Sequence, residues 1–364
     1  MTPIRVDIVI DNYNYARFLG EAIASALAQT HPDVHIVVVD DGSTDESANV
    51  LAEYADRVEV VHKENGGQAS ALNAGIAHCR GDVVIFLDAD DVLHPEIAAR
   101  VADVFGREPA TVQVPYRLEV VDASGRRNGL VKPPPDMELP AGDIAAAKLT
   151  FPFDIVTVGT SGNAFRVEPL RRVAPIPETD FADCADWYLV NVMPLLGRIT
   201  PLDLLGGRYR VHGANAYETD GTGLDVEHIR KTIRYGLVTT GALERVSTEL
   251  GLTRRYPEIL SVSDIANRLI SLRLDPAHHP RAGDTVRHLL RDGIRASFRR
   301  WDSPLLMKLV FVTWFLLVAV APRPLLVRLA LAFLYRERRG GLNGIIRRLR
   351  NRHLRLDVTP GREP

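Results

Sequence analysis

The feature that most constrains the fold of this chain is a regular alternation of two hydrophobic periods over its first hundred residues. Short apolar runs, typical of buried parallel strands, alternate with segments whose apolar residues recur at helical spacing. The predicted strands cover residues 6–10, 34–39, 58–61 and 83–87, and the predicted helices cover residues 16–30, a segment around 50–54, and 68–79. This βαβαβαβ order predicts an α/β fold, with a mostly parallel sheet flanked by helices on both faces.

The pattern changes after a further predicted helix at residues 95–105, and the chain of 364 residues has room for more than this one sheet. The later predictions are a hairpin starting at residues 111–121, an extended segment at 156–166, a helix at 184–196, an end of the first domain near 209–212, and helical structure over 226–300. We therefore predict a first domain at residues 1–217, a helical extension at 218–300 and a separate C-terminal region at 301–364.

The C-terminal region is apolar and then strongly basic. Two apolar runs, residues 305–321 and 325–335, are each shorter than the ~20 residues that a membrane-spanning helix usually needs. Eight arginines follow between residues 336 and 355, and the apolar side chains at 342, 345, 346 and 349 share one helical face. This pattern predicts attachment to an anionic membrane surface, either flat or spanning. The alternative is a buried helical hairpin followed by a solvated charged tail.

Composition and cysteine content limit the expected binding partners and the expected cellular location. The formal net charge is −2, so the overall balance gives no indication of nucleic acid as a partner. Two cysteines, Cys79 and Cys184, are too few for a disulfide framework. No basic segment with an apolar core precedes the first strand, so no signal peptide is predicted. The expected location is the cytoplasmic face of the cell membrane.

Polar residues follow three of the four predicted strands. They are the segments 11–15 (Asp-Asn-Tyr-Asn-Tyr), 40–43 (Asp-Asp-Gly-Ser) and 88–91 (Asp-Ala-Asp-Asp). Ligands of open parallel sheets bind beyond the carboxyl ends of the strands, where these segments meet. An aromatic ring, a carboxylate acceptor and an acidic cluster suit a nucleotide base, a ribose and a metal-bound diphosphate.

Asp88, Asp90 and Asp91 are the candidate metal ligands within this set. Three carboxylates in four residues repel one another unless a cation compensates them, and Mg²⁺ or Mn²⁺ prefers such oxygen ligands. The alternative is that Asp90 or Asp91 caps the helix that begins near Pro95. Gly66 and Gly67 precede a predicted helix and allow backbone N–H groups to approach a phosphate, although the pair also fits an ordinary turn. Neither a GxGxxG motif after the first strand nor a P-loop motif is present, which argues against dehydrogenases and P-loop enzymes.

Three segments resemble motifs of the family 2 glycosyltransferases of the GT-A fold. They are Asn12-Tyr13-Asn14 together with residues 39–45 (Val-Asp-Asp-Gly-Ser-Thr-Asp), residues 65–75, and Leu87-Asp88-Ala89-Asp90-Asp91. The resemblance is strong over about the first hundred residues and extends to about residue 217. It implies a GT-A domain that uses a nucleotide-diphosphate sugar, usually a UDP-sugar, and a divalent metal.

The resemblance also implies site residues, position by position. The expected nucleotide-sugar-binding residues are Asn12, Tyr13, Asp41, Gly67, Asn73, Asp88 and Arg210; the expected metal-binding residues are Asp90, Asp91 and His212; and the expected catalytic base is Asp186, with Asp183 as the fallback. Two positions depart from the family pattern. Ala185 stands where a glutamate often precedes the base, and Asp11 replaces a proline, which places another carboxylate near the site or alters the first loop.

The leading hypothesis is an inverting transfer of a sugar to a hydroxyl group of a saccharide or lipid-linked acceptor, as in surface polysaccharide or glycolipid assembly. An alternative is a non-catalytic sugar-nucleotide-binding or membrane scaffold protein on the same fold, for which Ala185 is the best support. A nucleotidyltransferase is a third possibility, but the segment Asn12-Tyr13-Asn14-Tyr15 is not the glycine-rich basic loop that such enzymes usually carry.

Overall fold

The computed structural model describes residues 4–213, 215, 224–252, 259–300 and 303–334. Its first part has the predicted order of alternating strands and helices. The elements are β1 (Val6–Asn12), α1 (Ala16–Leu27), β2 (Val34–Asp40), α2 (Ser47–Ala52), β3 (Glu59–His62), α3 (Gln68–His78) and β4 (Val83–Asp88). The four strands pair in parallel in the order β3-β2-β1-β4. The predicted parallel sheet is therefore confirmed.

Helices cover both faces of this sheet. Neighbouring residues of a strand point to opposite faces, and Ile8 of β1 packs in one core cluster with Leu19 of α1. Val9 points the other way and meets α3. A Cβ on Gly75 of α3 would lie 2.3 Å from Val9 Cγ1, so only glycine allows this close approach of helix and strand.

Beyond β4 the sheet becomes mixed. The elements are β5 (Val92–Leu93), α4 (Ile97–Arg107), β6 (Thr111–Asp122), β7 (Arg127–Lys132), α5 (Ala145–Thr150), β8 (Asn163–Arg166), α6 (Val167–Val173), α7 (Ala185–Val192), β9 (Arg198–Ile199) and β10 (Leu202–Val211). Strand β8 lies antiparallel between β4 and β6, and β10 lies parallel to β6. The predicted hairpin is confirmed, since β6 and β7 pair antiparallel.

Two predicted elements are shorter in the structure. Of the expected extended segment at residues 156–166, only β8 is a strand, and a 3-10 turn at Thr160–Gly162 precedes it. The expected helix at residues 184–196 is α7 followed by a 3-10 turn at Met193–Leu195. Pro194 lies in that turn, and a proline has no N–H with which to continue an α-helical ladder.

Most of the remaining described residues are helical, as predicted. The helices are α8 (Val226–Glu249), α9 (Val262–Leu274), α10 (Val286–Arg299), α11 (Leu305–Val320) and α12 (Arg323–Leu334). By its contacts the chain divides into two compact units. The first comprises the described residues within Met1–Leu149, Ile155–Glu218 and Val238–Arg255, and the second those within Thr150–Asp154, Thr219–Leu237 and Tyr256–Pro364. The predicted boundaries at residues 217 and 300 stay predictions.

The second unit has its own hydrophobic core. Side chains of α9, including Ile265 and Leu269, form this core with Leu289 of α10 and Phe315 of α11. In the part of the chain that the structure describes, no helix has both the length and the apolar character needed to cross a bilayer. The arginine-rich segment at residues 336–355 lies outside the described residues.

Candidate active site

Three polar strand ends meet at the carboxyl edge of the parallel sheet. Strand β1 lies between β2 and β4, with Asn12 opposite Asp40 and Asp11 opposite Asp88. The backbone continues this pairing beyond the strands, since the N–H of Asp41 donates to Asn12 O and the N–H of Ala89 donates to Asp11 O. The sheet register therefore brings together the segments that the sequence singled out.

The ends of β1 and β2 hold each other through side chains. Asn12 Nδ2 donates to Asp40 Oδ1 at 2.9 Å and to Ser43 Oγ at 3.0 Å. Asn14 adopts a left-handed conformation with φ of 59°, and its Oδ1 accepts the N–H of Thr44 at 2.7 Å. Tyr13, between the two asparagines, is 46% exposed. A loop held by hydrogen bonds thus presents one aromatic ring to solvent.

Asp41 is buried and fixes the paired-glycine turn. Its carboxylate accepts the N–H of Gly67 at 2.8 Å, the N–H of Gly66 at 3.1 Å and a bond from Lys63 Nζ at 2.5 Å. Gly67 has a φ of +83°, and a Cβ there would lie 2.7 Å from Ala182 O. These two N–H groups therefore point at a carboxylate of the chain itself, which differs from the expectation that they face a phosphate. The expected contact of Asp41 with a base stays a prediction.

Asp88, Asp90 and Asp91 converge at the end of β4. Ligand atoms of the three carboxylates all lie within 4.8 Å of one another. The expected alternative, a helix cap, is not what the structure shows. Helix α4 begins at Ile97 without a side-chain cap, and Asp91 Oδ1 instead accepts the backbone N–H of Arg210 at 2.8 Å.

Residues at the end of β10 clamp this acidic segment. Arg210 is 2% exposed, and its Nε donates to Asp90 O at 2.8 Å. His212 Nε2 lies 2.8 Å from Asp90 Oδ2, and Asn215 Nδ2 lies 3.3 Å from the same oxygen. Arg210 and His212 therefore lie on the acidic cluster, as the sequence motif suggests. Their contact with a diphosphate or a metal stays a prediction.

Burial sets the electrostatics of the cluster. Burial raises the pKa of Asp88 well above its usual value, and the charges of Asp11, Asp91, Asp90 and Asp186 raise it further. Burial, followed by the charge of Asp90, has the same effect on the pKa of Asp91. Such carboxyls resist ionisation until a positive charge compensates them.

Asp11, the residue that departs from the family pattern, is a fourth carboxyl at this edge. Burial and the charge of Asp90 raise its pKa to about 7. Its Oδ1 is buried and has no hydrogen-bond partner among the described residues. A buried carboxylate oxygen without a donor is costly unless a cation meets it. The three converging carboxylates of Asp88, Asp90 and Asp91, with this oxygen of Asp11 at the same edge, therefore fit a hard divalent cation.

Gln68, which the sequence reasoning did not single out, joins the acidic cluster to α7. Its Nε2 donates to Asp88 Oδ1 at 3.0 Å, and its Oε1 accepts the N–H of Ala185 at 3.0 Å. One available signal was its position, because Gln68 is the first residue of α3 directly after the paired glycines, at the same edge of the sheet. The Gln68 side chain therefore links the acidic cluster at the end of β4 to the first residue of α7.

Asp186 lies in the first turn of α7, one residue beyond that bridge. Its Oδ1 accepts a bond from Cys184 Sγ at 3.3 Å, and burial raises its pKa although hydrogen bonds to the carboxylate oppose the shift. Its charge in turn raises the pKa of Asp88 and of Asp11. The structure thus brings the expected base to the acidic cluster, whereas Asp183, the fallback, is exposed.

Asn73 has a different environment from the other expected ligands. Its Oδ1 accepts the N–H of Ile176 at 2.8 Å, and its Nδ2 donates to Ile176 O at 2.9 Å and to Glu178 Oε1 at 3.1 Å. Its amide is therefore engaged in tying α3 to the segment before α7. Contact with a nucleotide sugar stays a prediction for this residue.

Comparison with known proteins agrees with this geometry. Residues 7–173 match the family model for glycosyl transferase family 2. An uncharacterised glycosyltransferase of Nostoc sp. is 38% identical over 218 residues, which cover 58% of this chain and 66% of the relative. One of Rickettsia felis is 39% identical over 131 residues, covering 35% of this chain and 22% of the relative. The matches thus span just under two thirds of the first relative and less than a quarter of the second.

Solved structures give the fold. The crystal structure of S. aureus TarS residues 1–349 in complex with UDP aligns with a TM-score of 0.51 at 17% identity, covering 86% of this chain and 90% of that chain. The same protein in complex with UDP-GlcNAc aligns with a TM-score of 0.50 at 14% identity, covering 99% of this chain and 95% of that chain. Sequence and fold agree: the chain has the GT-A fold, and its residues 7–173 match glycosyl transferase family 2.

Proposed function

We propose that this chain is a metal-dependent, inverting glycosyltransferase that moves a sugar from a nucleotide-diphosphate sugar to a hydroxyl acceptor. The observation that carries the proposal is the link that Gln68 makes between the acidic cluster and the helix that bears Asp186. The amide of Gln68 donates to Asp88 in the acidic cluster and accepts from the first residue of α7, which bears Asp186. A donor site and a base at one sheet edge are what such a transfer needs.

The proposed donor is a UDP-sugar. Tyr13 is exposed beside the buried pair Asn12 and Asp40, which suits an aromatic platform next to polar groups that recognise a base. TarS residues 1–349, a neighbour in fold, binds UDP and UDP-GlcNAc, which supports the same nucleotide here.

Asp88, Asp90 and Asp91 would hold the divalent cation, Mg²⁺ or Mn²⁺, with His212 and Asp11 beside them. When bound, the cation supplies positive charge to the departing diphosphate. Arg210 and His212 keep the carboxylates in place, because their bonds to the acidic segment are made by buried groups. The chain thus contributes a preorganised cluster, which needs little rearrangement during the reaction.

Asp186 is the proposed general base. A carboxylate accepts the proton of the acceptor hydroxyl as that oxygen attacks the anomeric carbon from the face opposite the nucleotide. The raised pKa of Asp186 makes it a better proton acceptor than an exposed aspartate. The acceptor is proposed to be a saccharide or a lipid-linked saccharide.

The test is the release of UDP from a panel of UDP-sugars by the purified chain, with and without Mn²⁺. We expect Asp186→Asn to lower the rate by about 10²- to 10⁴-fold, the range that positioned acid–base groups contribute. Asp90→Asn should also lower the rate, because it removes a proposed ligand of the cation. Asp56→Asn is the matched control, since its carboxylate is 84% exposed. Full activity of Asp186→Asn would move the base role to Asp183, and metal-independent activity would exclude the metal role.

A non-catalytic, sugar-nucleotide-binding protein is the second candidate, because Ala185 stands where a glutamate often precedes the base. The same assay separates the two. Metal-dependent binding of UDP-sugars without UDP release, in the presence of saccharide acceptors, would favour the second candidate.

A further inference from the structure

We propose that one face of α11 docks on an anionic lipid surface. This face, the aliphatic stripe, consists of Leu305, Leu306, Leu309, Val310, Leu316, Leu317 and Val320. The inference is independent of the proposed transfer reaction, since it concerns only the second compact unit. It would hold the chain at a surface where a lipid-linked acceptor resides.

The stripe is a single continuous face. With 3.6 residues per turn, its seven side chains fall within an arc of about 140° around the helix. The opposite arc carries Met307, Phe315 and Val318, which are buried, and Phe315 and Val318 belong to the core of the second unit. Helix α11 is therefore held by the unit on one side, so docking through the other side needs no unfolding.

Most of the exposed large hydrophobic side chains of the described residues lie in or next to the aliphatic stripe. Val320 is 78% exposed and Leu305 is 65% exposed. Of the twelve large hydrophobic residues that are exposed among the described residues, eight lie between Leu305 and Leu325. Isolated apolar side chains are common at protein surfaces, but a contiguous set of this size marks a binding surface.

The charge around the stripe favours anionic lipid as the occupant. Residues 303–334 contain Lys308, Arg323 and Arg328 and no aspartate or glutamate. Lys308 Nζ donates to Phe298 O at 3.0 Å, so the exposed Phe298 and Arg299 at the end of α10 lie beside the first turns of α11. An exposed aliphatic face in a segment whose charges are all positive is typical of helices that lie in the plane of an anionic membrane.

A second copy of the chain is a less suitable occupant. A symmetric contact between two copies places the same surface on both sides. The cations of residues 303–334 would then come near the same cations of the other copy, with no acidic partner from this segment, and like charges at an interface are unfavourable.

The experiment is flotation of the full chain with vesicles of phosphatidylcholine alone or mixed with phosphatidylglycerol. We expect binding to the mixed vesicles that weakens with added salt. The double variant Leu309→Glu, Leu316→Glu should weaken the partitioning by about tenfold or more, because it replaces apolar contacts with charge. The matched control is Leu130→Glu, Leu205→Glu, whose side chains are also exposed but lie on β7 and β10.

Circular dichroism melting of both double variants checks that they fold, and UDP release without vesicles checks the catalytic unit separately. Equal vesicle binding by the stripe variant and the wild type would overturn the proposal, as would an absence of wild-type binding. A dimer in sedimentation that the stripe substitutions dissociate, without vesicle binding, would instead assign the stripe to a contact between copies.

Discussion

At the scale of single residues, the site contains a side chain, Gln68, that connects the acidic cluster to α7. Gln68 uses both ends of its amide, and its backbone N–H donates to Ala182 O at 2.6 Å. A glutamine is suited to this position because it offers a donor and an acceptor on one planar group.

We predict that Gln68→Leu lowers kcat by about 10- to 100-fold, because a lost hydrogen bond to a charged group is worth roughly 1.5–3 kcal/mol. The affinity for Mn²⁺, measured by titration, should fall as well, since Asp88 loses the donor that orients it. A purely structural role for Gln68 would lower the melting temperature and leave kcat and metal affinity unchanged.

Gln29→Leu is the matched control for this prediction. Its amide likewise both donates and accepts: it donates to Ser25 O and His94 O and accepts the N–H of Ala98. None of these partners belongs to the acidic cluster. Gln29→Leu should therefore lower stability without a specific loss of metal binding.

Part of this residue-level arrangement is predictable from sequence. Asp88, Asp90 and Asp91 follow a buried strand, and the carboxyl ends of parallel strands meet at one edge. The partner of each polar group is not predictable in the same way. The N–H groups of Gly66 and Gly67 point at Asp41 because of the loop between β3 and α3, and no local pattern encodes that choice.

At the scale of elements, α3 has two attachments of different kinds. Gly75 lets the helix approach β1 closely, and Asn73 ties it to Ile176. The second tie reaches a segment that precedes α7, so α3 positions the helix that carries Asp186.

We predict that Asn73→Ala lowers the free energy of unfolding by about 1–3 kcal/mol, because it leaves the N–H and C=O of Ile176 without their partner. Urea denaturation measures this change, and calorimetric titration of UDP with Mn²⁺ measures the nucleotide affinity. A direct role of Asn73 in nucleotide binding would instead show as weaker UDP binding at unchanged stability.

The elements that sequence reasoning finds are those with local signals. Strands β1 to β4 and helix α1 have clear hydrophobic patterns, whereas β8 has four residues and is placed by pairing with β4 and β6. Pairing between distant segments depends on the whole sheet, so the sequence indicates extended structure near β8 but not its bounds or neighbours.

At the scale of the whole molecule, the acidic cluster makes stability depend on pH. Burial and the charge of Asp90 raise the pKa of Asp11 from 3.8 to about 7. A carboxyl whose pKa is higher in the folded chain stabilises the fold while it is protonated, and that contribution is lost as the pH rises through the folded value. Asp11 therefore lowers the stability of the fold as the pH rises from about 3.8 to about 7, and its destabilising effect is constant at higher pH.

We predict that Asp11→Asn raises the melting temperature of the metal-free chain at pH 8 by at least about 2–4 °C, the shift that 1 kcal/mol produces in a domain of this size. At pH 4 the two proteins should melt within about 1 °C of each other, since burial and Asp90 keep Asp11 protonated there. Scanning calorimetry at both pH values measures the difference. A constant difference across this range would contradict the titration of Asp11.

Mn²⁺ should raise the melting temperature of the wild type more at pH 8 than at pH 5, because carboxylates must lose their protons to bind a cation. A saturating ligand at 100 times its Kd adds about 2.7 kcal/mol. An effect of Mn²⁺ that does not depend on pH would place its binding outside the acidic cluster.

The position of β8 in the sheet has a consequence for the order in which the chain acquires structure. Strand β4 ends at Asp88, but the strand that pairs with its outer edge begins only at Asn163. During synthesis, the outer edge of β4 therefore stays unpaired until β8 has left the ribosome. An unpaired strand edge can form hydrogen bonds with other chains and so aggregate. Fragments that end before Asn163 should accumulate as aggregates. The pairing of β4 with β8 joins residues that are far apart in sequence, so this step of folding should be slow.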